Sequence, residues 1–217
     1  AAIAKNFDTA AYVVSVTEKG MIKRSAISDY QVQRYNKALN NMNVKSGDRI
    51  VSTFISYDNE EVAILTKQGY MIHYNLDLIT PTAPKSQGVK AINLSKEDKV
   101  VDATAVSIHR SQLLLISDKA ELDSFNRATK GEMIAKRVKS NPIQFRYCRA
   151  VTAYESIQFA DPDLKTIYAK DVAIMSKDAT VSSAIEVKSD WYIIKGLYEV
   201  KIIDNPTSSQ NTPLPET

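Results

Sequence analysis

Residues Tyr12–Tyr30 read YVVSVTEKGMIKRSAISDY, which predicts an apolar strand, a tight turn that ends on Gly20, and a second strand. Glycine suits the last position of such a turn because it adopts a positive φ without steric cost. The second strand carries two adjacent cations, Lys23 and Arg24. We therefore expect the chain to be organised around antiparallel hairpins.

This hairpin pattern returns further along the chain. Copies begin at Val62, at Leu113 and, in a poorer form, at Lys165, so that the units are spaced by about 50 residues. A second landmark repeats in phase, since Val44–Val51 matches Leu94–Val101. Each unit thus contains four strand-like segments, which is typical of a propeller blade.

The repeats predict an all-β fold of propeller-like blades, each made of four antiparallel strands. Residues 1–10 would end a preceding blade, and the polar, proline-rich residues 205–217 would form a disordered tail. About four blades are predicted, at residues 11–59, 60–110, 111–160 and 161–204.

The composition limits the class of protein. The chain has 217 residues, a formal net charge of +3 and one cysteine, Cys148. A single cysteine excludes an internal disulfide framework and fits a reducing compartment. No run approaches the roughly 18 apolar residues of a membrane span, and residues 1–10 lack the layout of a signal peptide. We therefore expect a cytoplasmic protein with no membrane partner.

The cations are unevenly distributed along the chain. Lys and Arg outnumber Asp and Glu in the first and third predicted blades, whereas acids prevail in the last. A curved row of cations on the rim of a ring suits a bent phosphate backbone, although a solvated surface with ordinary salt pairs is the alternative. The predicted DNA-binding residues are Lys19, Lys23, Arg24, Arg34, Lys37, Lys67, Lys85, Lys90, Lys119, Arg127, Lys130, Lys136 and Arg137.

No catalytic or metal site is predicted. His73 and His109 lie in different units, and neither has the neighbours of a catalytic triad. Metal-ligand spacings, a Walker loop and a dinucleotide glycine fingerprint are missing. The eleven tyrosines fall mostly in strand-like runs and in no recognisable nucleophile motif. We therefore expect no catalytic residue, no cofactor and no metal in this chain.

The run Val13–Ser25 resembles the repeats in the C-terminal domains of bacterial type IIA topoisomerase A subunits. Arg34–Ala38, Asn43–Asp48 and Gln87–Asp98 resemble continuations of the same repeats. The resemblance covers residues 7–155 well and the remainder weakly, and it is closer to topoisomerase IV of the Gram-positive type than to gyrase.

The resemblance implies a fold and a set of partners. The fold would be a β-pinwheel, a propeller-like ring whose blades exchange an outer strand and whose rim binds and bends double-stranded DNA. The partners would be the N-terminal breakage-reunion region of the same polypeptide, which holds the nucleophilic tyrosine, and the B subunit of topoisomerase IV. ATP and Mg would bind to other domains of the parent enzyme, which would relax or decatenate DNA during chromosome segregation.

The chain departs from the gyrase pattern in its connections. Gyrase repeats include a basic, glycine-rich box, whereas the connections Lys85–Lys90 and Arg127–Gly131 keep cations and lose most glycines. The resemblance therefore implies binding and bending of DNA without complete chiral wrapping. The alternatives are a C-terminal domain of the gyrase A subunit and a propeller that serves as a protein-interaction scaffold.

Overall fold

The described residues form four stacked sheets in which nearly all neighbouring strands run antiparallel, and short turns close the hairpins. The computed structural model describes residues 10–31, 38–107, 112–117, 122–125, 132–133, 144–152, 155–160, 164–172, 174–175 and 192–193.

Strands dominate the described residues, and the only helical turns among them are short 3-10 segments at Ile27–Tyr30, Leu76–Leu78 and Ala169–Asp171. The strands are β1 (Ala11–Thr17), β2 (Met21–Ala26), β3 (Ile50–Tyr57), β4 (Glu61–Thr66), β5 (Tyr70–Asn75), β6 (Val89–Lys90), β7 (Val100–Val106), β8 (Gln112–Ser117), β9 (Leu122–Phe125), β10 (Glu132–Met133), β11 (Phe145–Val151), β12 (Ser156–Ala160), β13 (Leu164–Tyr168), β14 (Ile174–Met175) and β15 (Tyr192–Ile193).

The strands form four sheets, and in the first three an outermost strand comes from the next repeat. The first sheet has the order β3-β1-β2-β6, the second β10-β5-β4-β7, the third β11-β8-β9-β14 and the fourth β13-β12-β15. Strand β6 pairs antiparallel with β2, β10 pairs antiparallel with β5, and β14 runs parallel to β9. This exchange of outer strands between neighbouring blades confirms the predicted β-pinwheel.

Strands β3, β7 and β11 lie at the inner edges of their sheets and pack against one another. Polar groups join them. The Ser52 hydroxyl of β3 donates to the Ala103 carbonyl of β7 at 2.7 Å. The buried Asp102 carboxylate accepts from the Cys148 N–H of β11 at 2.9 Å. These bonds hold the inner strands together around the axis of the ring.

The apolar core lies between the faces of successive sheets. Val62 and Ile64 of β4 pack with the first sheet, whereas Ala63 and Leu65 pack with residues of β11. Successive side chains of a strand point to opposite faces, so a sheet that is covered on both sides needs an uninterrupted apolar run. This is why the second repeat reads Val-Ala-Ile-Leu here, with all four side chains fully buried.

The Thr-x-x-Gly turns close the hairpins as predicted. The Gly20 N–H donates to the Thr17 carbonyl at 3.0 Å, and the Thr17 hydroxyl accepts from the Met21 N–H at 3.1 Å. Gly69 and Thr66 repeat the first bond at 3.1 Å. Gly20 has a φ of +82° and Gly69 a φ of +86°, so both occupy the left-handed region that glycine adopts freely.

The second sequence landmark supplies an aspartate that accepts hydrogen bonds from the backbone of each turn. The Asp48 carboxylate accepts from the N–H groups of Lys19, at 3.0 Å, and Arg49, at 2.8 Å. Asp98 does the same for Gln68 and Lys99, at 3.1 and 2.8 Å. The aspartates recur in phase because each ties the hairpin turn to the start of the inner strand of its own blade.

The fourth hairpin differs from the prediction. Strands β12 and β13 pair from Ser156 to Tyr168, so the fourth sheet begins within the residues assigned to the third blade. A capped turn marks the change of repeat: the Glu155 carboxylate accepts from the Thr152 N–H at 2.8 Å, as Glu60 does from Tyr57 at 2.9 Å. Strand β12 begins directly after the second of these turns, at Ser156. The sequence match instead places the start of the fourth hairpin at Lys165, which lies in β13.

Candidate nucleic-acid interface

The margins of the stacked sheets reach solvent, whereas the faces that meet between successive sheets are buried. Three margins matter for binding: two ends of the sheets and the outer edge. We call them the hairpin-turn end (residues 17–20, 45–50, 66–69, 95–100 and 144–146), the opposite end (residues 26–30, 57–61, 75–79 and 169–171) and the outer edge (residues 80–93).

Two of the predicted cations lie at the hairpin-turn end. Lys19 is exposed in the turn after β1, and Lys67 is half-buried at the equivalent position of the next repeat. Neither side chain makes an ion pair with a described residue. Both ammonium groups are therefore available to an anion from outside the chain.

Further cations at this end are absent from the predicted set. Lys45 and Lys96 are exposed in the turns that hold the aspartates of the second landmark, and Arg49 and Lys99 follow those aspartates directly. Arg146 lies at the start of β11. The sequence does contain a signal for four of them, because the landmarks Val44–Val51 and Leu94–Val101 carry Lys45, Arg49, Lys96 and Lys99, but the landmarks by themselves indicate only strands.

The outer edge carries two more predicted cations, Lys85 and Lys90, both exposed. Lys90 lies in β6, the exchanged strand. Strand β6 approaches β2 closely, since a Cβ on Gly88 would lie 2.4 Å from the Ile22 carbonyl oxygen. The exchange of strands thus places Lys90 on the outside of the first sheet.

The placement of Lys23 and Arg24 on a DNA-facing rim is wrong, because these side chains are 1% and 3% exposed. Adjacent residues of β2 point to opposite faces of the sheet, and both faces are covered. The Arg24 guanidinium donates to the Leu76 carbonyl at 3.1 Å and pairs with Asp77 at 2.8 Å and Asp58 at 3.2 Å. Arg24 therefore joins two blades instead of contacting a phosphate.

Lys23 belongs to a buried polar network on the other face of β2. Its ammonium donates to the Ser25 hydroxyl at 2.5 Å and to the Tyr30 hydroxyl at 3.3 Å. Tyr30 donates to the Asn41 side-chain oxygen at 2.5 Å, and the Asn41 amide donates to Ser15 at 2.6 Å. Burial lowers the pKa of Lys23 to about 8, although the negative charge of Asp29 acts to raise this pKa.

This network predicts a pH dependence of folding. The unfolded chain has a Lys23 pKa near 10.5, so between about pH 8 and 10 it binds more protons than the folded chain, and stability should rise with pH. Burial raises the pKa of Tyr30 and opposes this trend above its ordinary value of 10.0. Urea unfolding between pH 7.5 and 9.5 should therefore show the free energy of unfolding rising more in the parent chain than in Lys23→Met. Parallel pH profiles would contradict the prediction.

The opposite end of the sheets is acidic. Asp29, Asp58 and Asp77 are exposed there, and Glu60 and Glu61 are half-buried. Arg24 offsets part of this charge from inside. The described part of the ring thus has a basic end and an acidic end, and a polyanion is attracted to one side only.

The remaining predicted contacts lie outside the described residues, as do residues 1–9, the predicted tail at 205–217 and His109. The predicted contacts concerned are Arg34, Lys37, Lys119, Arg127, Lys130, Lys136 and Arg137.

The described residues show no group of three or more His, Cys, Asp or Glu side chains that could hold a metal ion. His73 pairs with Glu61 at 2.7 Å in the second sheet. No helix within the described ranges is long and apolar enough to cross a membrane.

Comparison with known families identifies the repeats. Residues 11–56 and 60–107 match the profile of the DNA gyrase C-terminal domain, beta-propeller. The first segment holds β1, β2 and most of β3, and the second holds β4, β5 and β7 together with β6, the outer strand that pairs with the first sheet.

Curated relatives point to the same domain. The chain is 29% identical over 145 residues to the DNA topoisomerase 4 A subunit of Bacillus subtilis (strain 168), which covers 64% of the chain and 18% of the relative. It is 32% identical over 160 residues to the DNA topoisomerase 4 A subunit of Staphylococcus aureus (strain MRSA252), with 70% of the chain and 20% of the relative covered. The chain thus spans about a fifth of the length of these relatives.

Solved structures show the same fold. The C-terminal domain of DNA topoisomerase IV superposes with a TM-score of 0.75 at 19% identity, covering 88% of this chain and 64% of that one. The DNA gyrase A C-terminal domain superposes with a TM-score of 0.72 at 21% identity, covering 88% and 66%. The exchanged blades, the matched repeats and the relatives agree, and the chain belongs to the family of gyrase A-like C-terminal domains of bacterial type IIA topoisomerases.

Proposed function

We propose that this chain is the DNA-binding and DNA-bending C-terminal domain of a topoisomerase IV A subunit. It binds the phosphates of duplex DNA, and the duplex lies along the hairpin-turn end and the outer edge of the ring. The observation that carries the proposal is the set of solvent-accessible cations on these margins, which have no described carboxylate partner: Lys19, Lys67, Lys85 and Lys90.

The charge of the two ends favours a one-sided path for the DNA. Phosphates are attracted to the hairpin-turn end and repelled by the acidic side chains at the opposite end, such as Asp58 and Asp77. A duplex that follows a curved margin must bend, and bending 20–30 base pairs costs on the order of 1–6 kcal/mol. Several phosphate contacts are needed to offset that cost.

The parent enzyme would perform the chemistry elsewhere. In this proposal the N-terminal breakage-reunion region of the same polypeptide cleaves DNA, and the B subunit of topoisomerase IV supplies ATP hydrolysis with Mg. The present domain holds the transported duplex and delivers it for ATP-dependent decatenation or relaxation. The loss of glycines in the connections supports bending without complete wrapping.

Binding should be sensitive to salt and indifferent to sequence. With about five phosphates neutralised, the logarithm of the association constant should fall with the logarithm of the salt concentration at a slope near −4.5. Lys90→Gln should reduce the magnitude of this slope by about 0.9 and weaken binding to different duplexes of about 30 base pairs alike. Fluorescence anisotropy at several salt concentrations measures both quantities.

The control is Lys170→Gln, which removes one exposed positive charge from the opposite end. It should leave the slope and the affinity unchanged. A salt-independent affinity, or equal effects of the two variants, would overturn the proposed path. Failure to retard duplex DNA at low salt would favour the protein-interaction scaffold instead.

A further inference from the structure

A cleft opens at the hairpin-turn end, where the three inner strands begin. Its volume is about 380 Å³, and it is lined by the first residues of β3, β7 and β11 together with the turns after β1 and β4. A volume in this range suits a small ligand. The cleft lies nearer the axis than the outer edge, so a duplex on the outer edge does not fill it.

The lining of the cleft is strongly cationic. Arg49, Lys67, Lys99 and Arg146 reach it from three successive repeats, and Glu18 is the one carboxylate among the lining residues that the structure describes. Four positive charges brought together in one concave space repel one another unless an anion joins them. Glu18 therefore balances only part of the charge of Arg49, Lys67 and Lys99.

Glu18 occupies part of the cleft as an internal anion. Its carboxylate pairs with Lys99 at 2.7 Å and with Arg49 at 3.2 Å. The hydrogen bond from Lys99, and then that from Arg49, holds the pKa of Glu18 below its ordinary value, so the carboxylate stays charged at neutral pH. Lys67 has no such partner among the described residues.

We propose that this cleft is a binding site for a short run of phosphate groups, held by Lys67, Lys99, Arg49 and Arg146. Guanidinium and ammonium groups from three repeats can each bind a different phosphate oxygen, whereas a single carboxylate neutralises only part of the charge. The cleft lies at the hairpin-turn end, where the proposed function already places DNA phosphates near Lys67. It is separate from the outer edge, so a duplex held only by Lys85 and Lys90 leaves it open, and the inference rests on the proposed function only where the phosphates belong to DNA. The phosphates come either from a DNA strand that crosses the hairpin-turn end or from a free polyphosphate.

Isothermal titration of the chain with sodium tripolyphosphate at low ionic strength tests this site. One molar equivalent should bind, and Lys67→Gln should weaken binding about tenfold, which corresponds to one charge-assisted hydrogen bond. Glu18→Gln should strengthen binding several-fold, because it removes the competing carboxylate. A gain in affinity cannot come from an unfolded protein.

Lys170→Gln is the matched control, since it removes an exposed ammonium at the opposite end of the sheets. Absence of binding, equal losses in Lys67→Gln and Lys170→Gln, or no gain in Glu18→Gln would overturn the site. Displacement of tripolyphosphate by a duplex of about 20 base pairs would assign the phosphates to DNA, and simultaneous binding would assign them to a free polyphosphate. Tripolyphosphate binding by a chain that does not bind duplex would overturn the proposed function while the cleft site stands.

Discussion

Arg24→Ala should lower the free energy of unfolding by about 3 kcal/mol, one of the largest losses expected from a single substitution in this chain. The change leaves the buried Leu76 carbonyl without its donor and removes the partner that Asp58 and Asp77 share. It also removes the guanidinium that stacks 3.7 Å from the centre of the Tyr12 ring. Urea denaturation followed by circular dichroism measures the loss.

Arg49→Ala is the matched control for this prediction. Arg49 also pairs with a carboxylate, Glu18 at 3.2 Å, but its side chain is 70% exposed. An exposed pair contributes about 0–1 kcal/mol, so this variant should unfold close to the parent. Equal costs for the two variants would contradict the role of Arg24 as a buried link between blades.

Gly88→Ala should cost about 2–4 kcal/mol and release the exchanged strand β6 from β2. Gly88 has a φ of +81°, which strains any other residue. The added Cβ would lie 2.4 Å from the Ile22 carbonyl oxygen and 3.1 Å from the Lys23 Cβ, so the backbone must move. Urea denaturation measures the cost, and hydrogen exchange should show faster exchange in β2 and β6.

Gly47→Ala separates backbone strain from this clash. Gly47 has a similar φ of +75°, but the nearest atom to an added Cβ is the flexible Lys19 ammonium, at 3.3 Å. The next repeat already places Glu97 at a φ of +68° in the corresponding turn. Gly47→Ala should therefore cost only about 1 kcal/mol. A Gly88→Ala variant as stable as Gly47→Ala would show that β6 is not held by close approach to β2.

The repeat pattern predicted the hairpins because their determinants are local. An apolar run, Thr17 and Gly20 suffice to specify a strand and the turn that closes it, and Thr66 and Gly69 specify the same turn again. The exchange of outer strands is not local, since β6 pairs with residues about 70 positions earlier. The resemblance to a known family implied that exchange, whereas the spacing of apolar residues did not.

The candidate interface was predicted less well than the fold. Lys19, Lys85 and Lys90 are exposed as expected, because turns and outer edges reach solvent in any stacking of sheets. The sequence pattern does not single out the cations before the inner strands, such as Arg49 and Lys99, because the landmarks that contain them indicate only the start of a strand. A cluster formed from three repeats cannot be identified from any one repeat.

The sequence by itself determined the repeat, its turns and the alternation of side chains along each strand, since these depend on residues close together in the chain. Only the tertiary structure decided that Lys23 and Arg24, in the opening stretch, are buried and not exposed to DNA. Alternation places them on opposite faces of β2, and the stacking of sheets and connections on both faces buries both of them. A cation in a strand contacts DNA only where a neighbouring blade leaves its face uncovered, and that depends on how the blades pack.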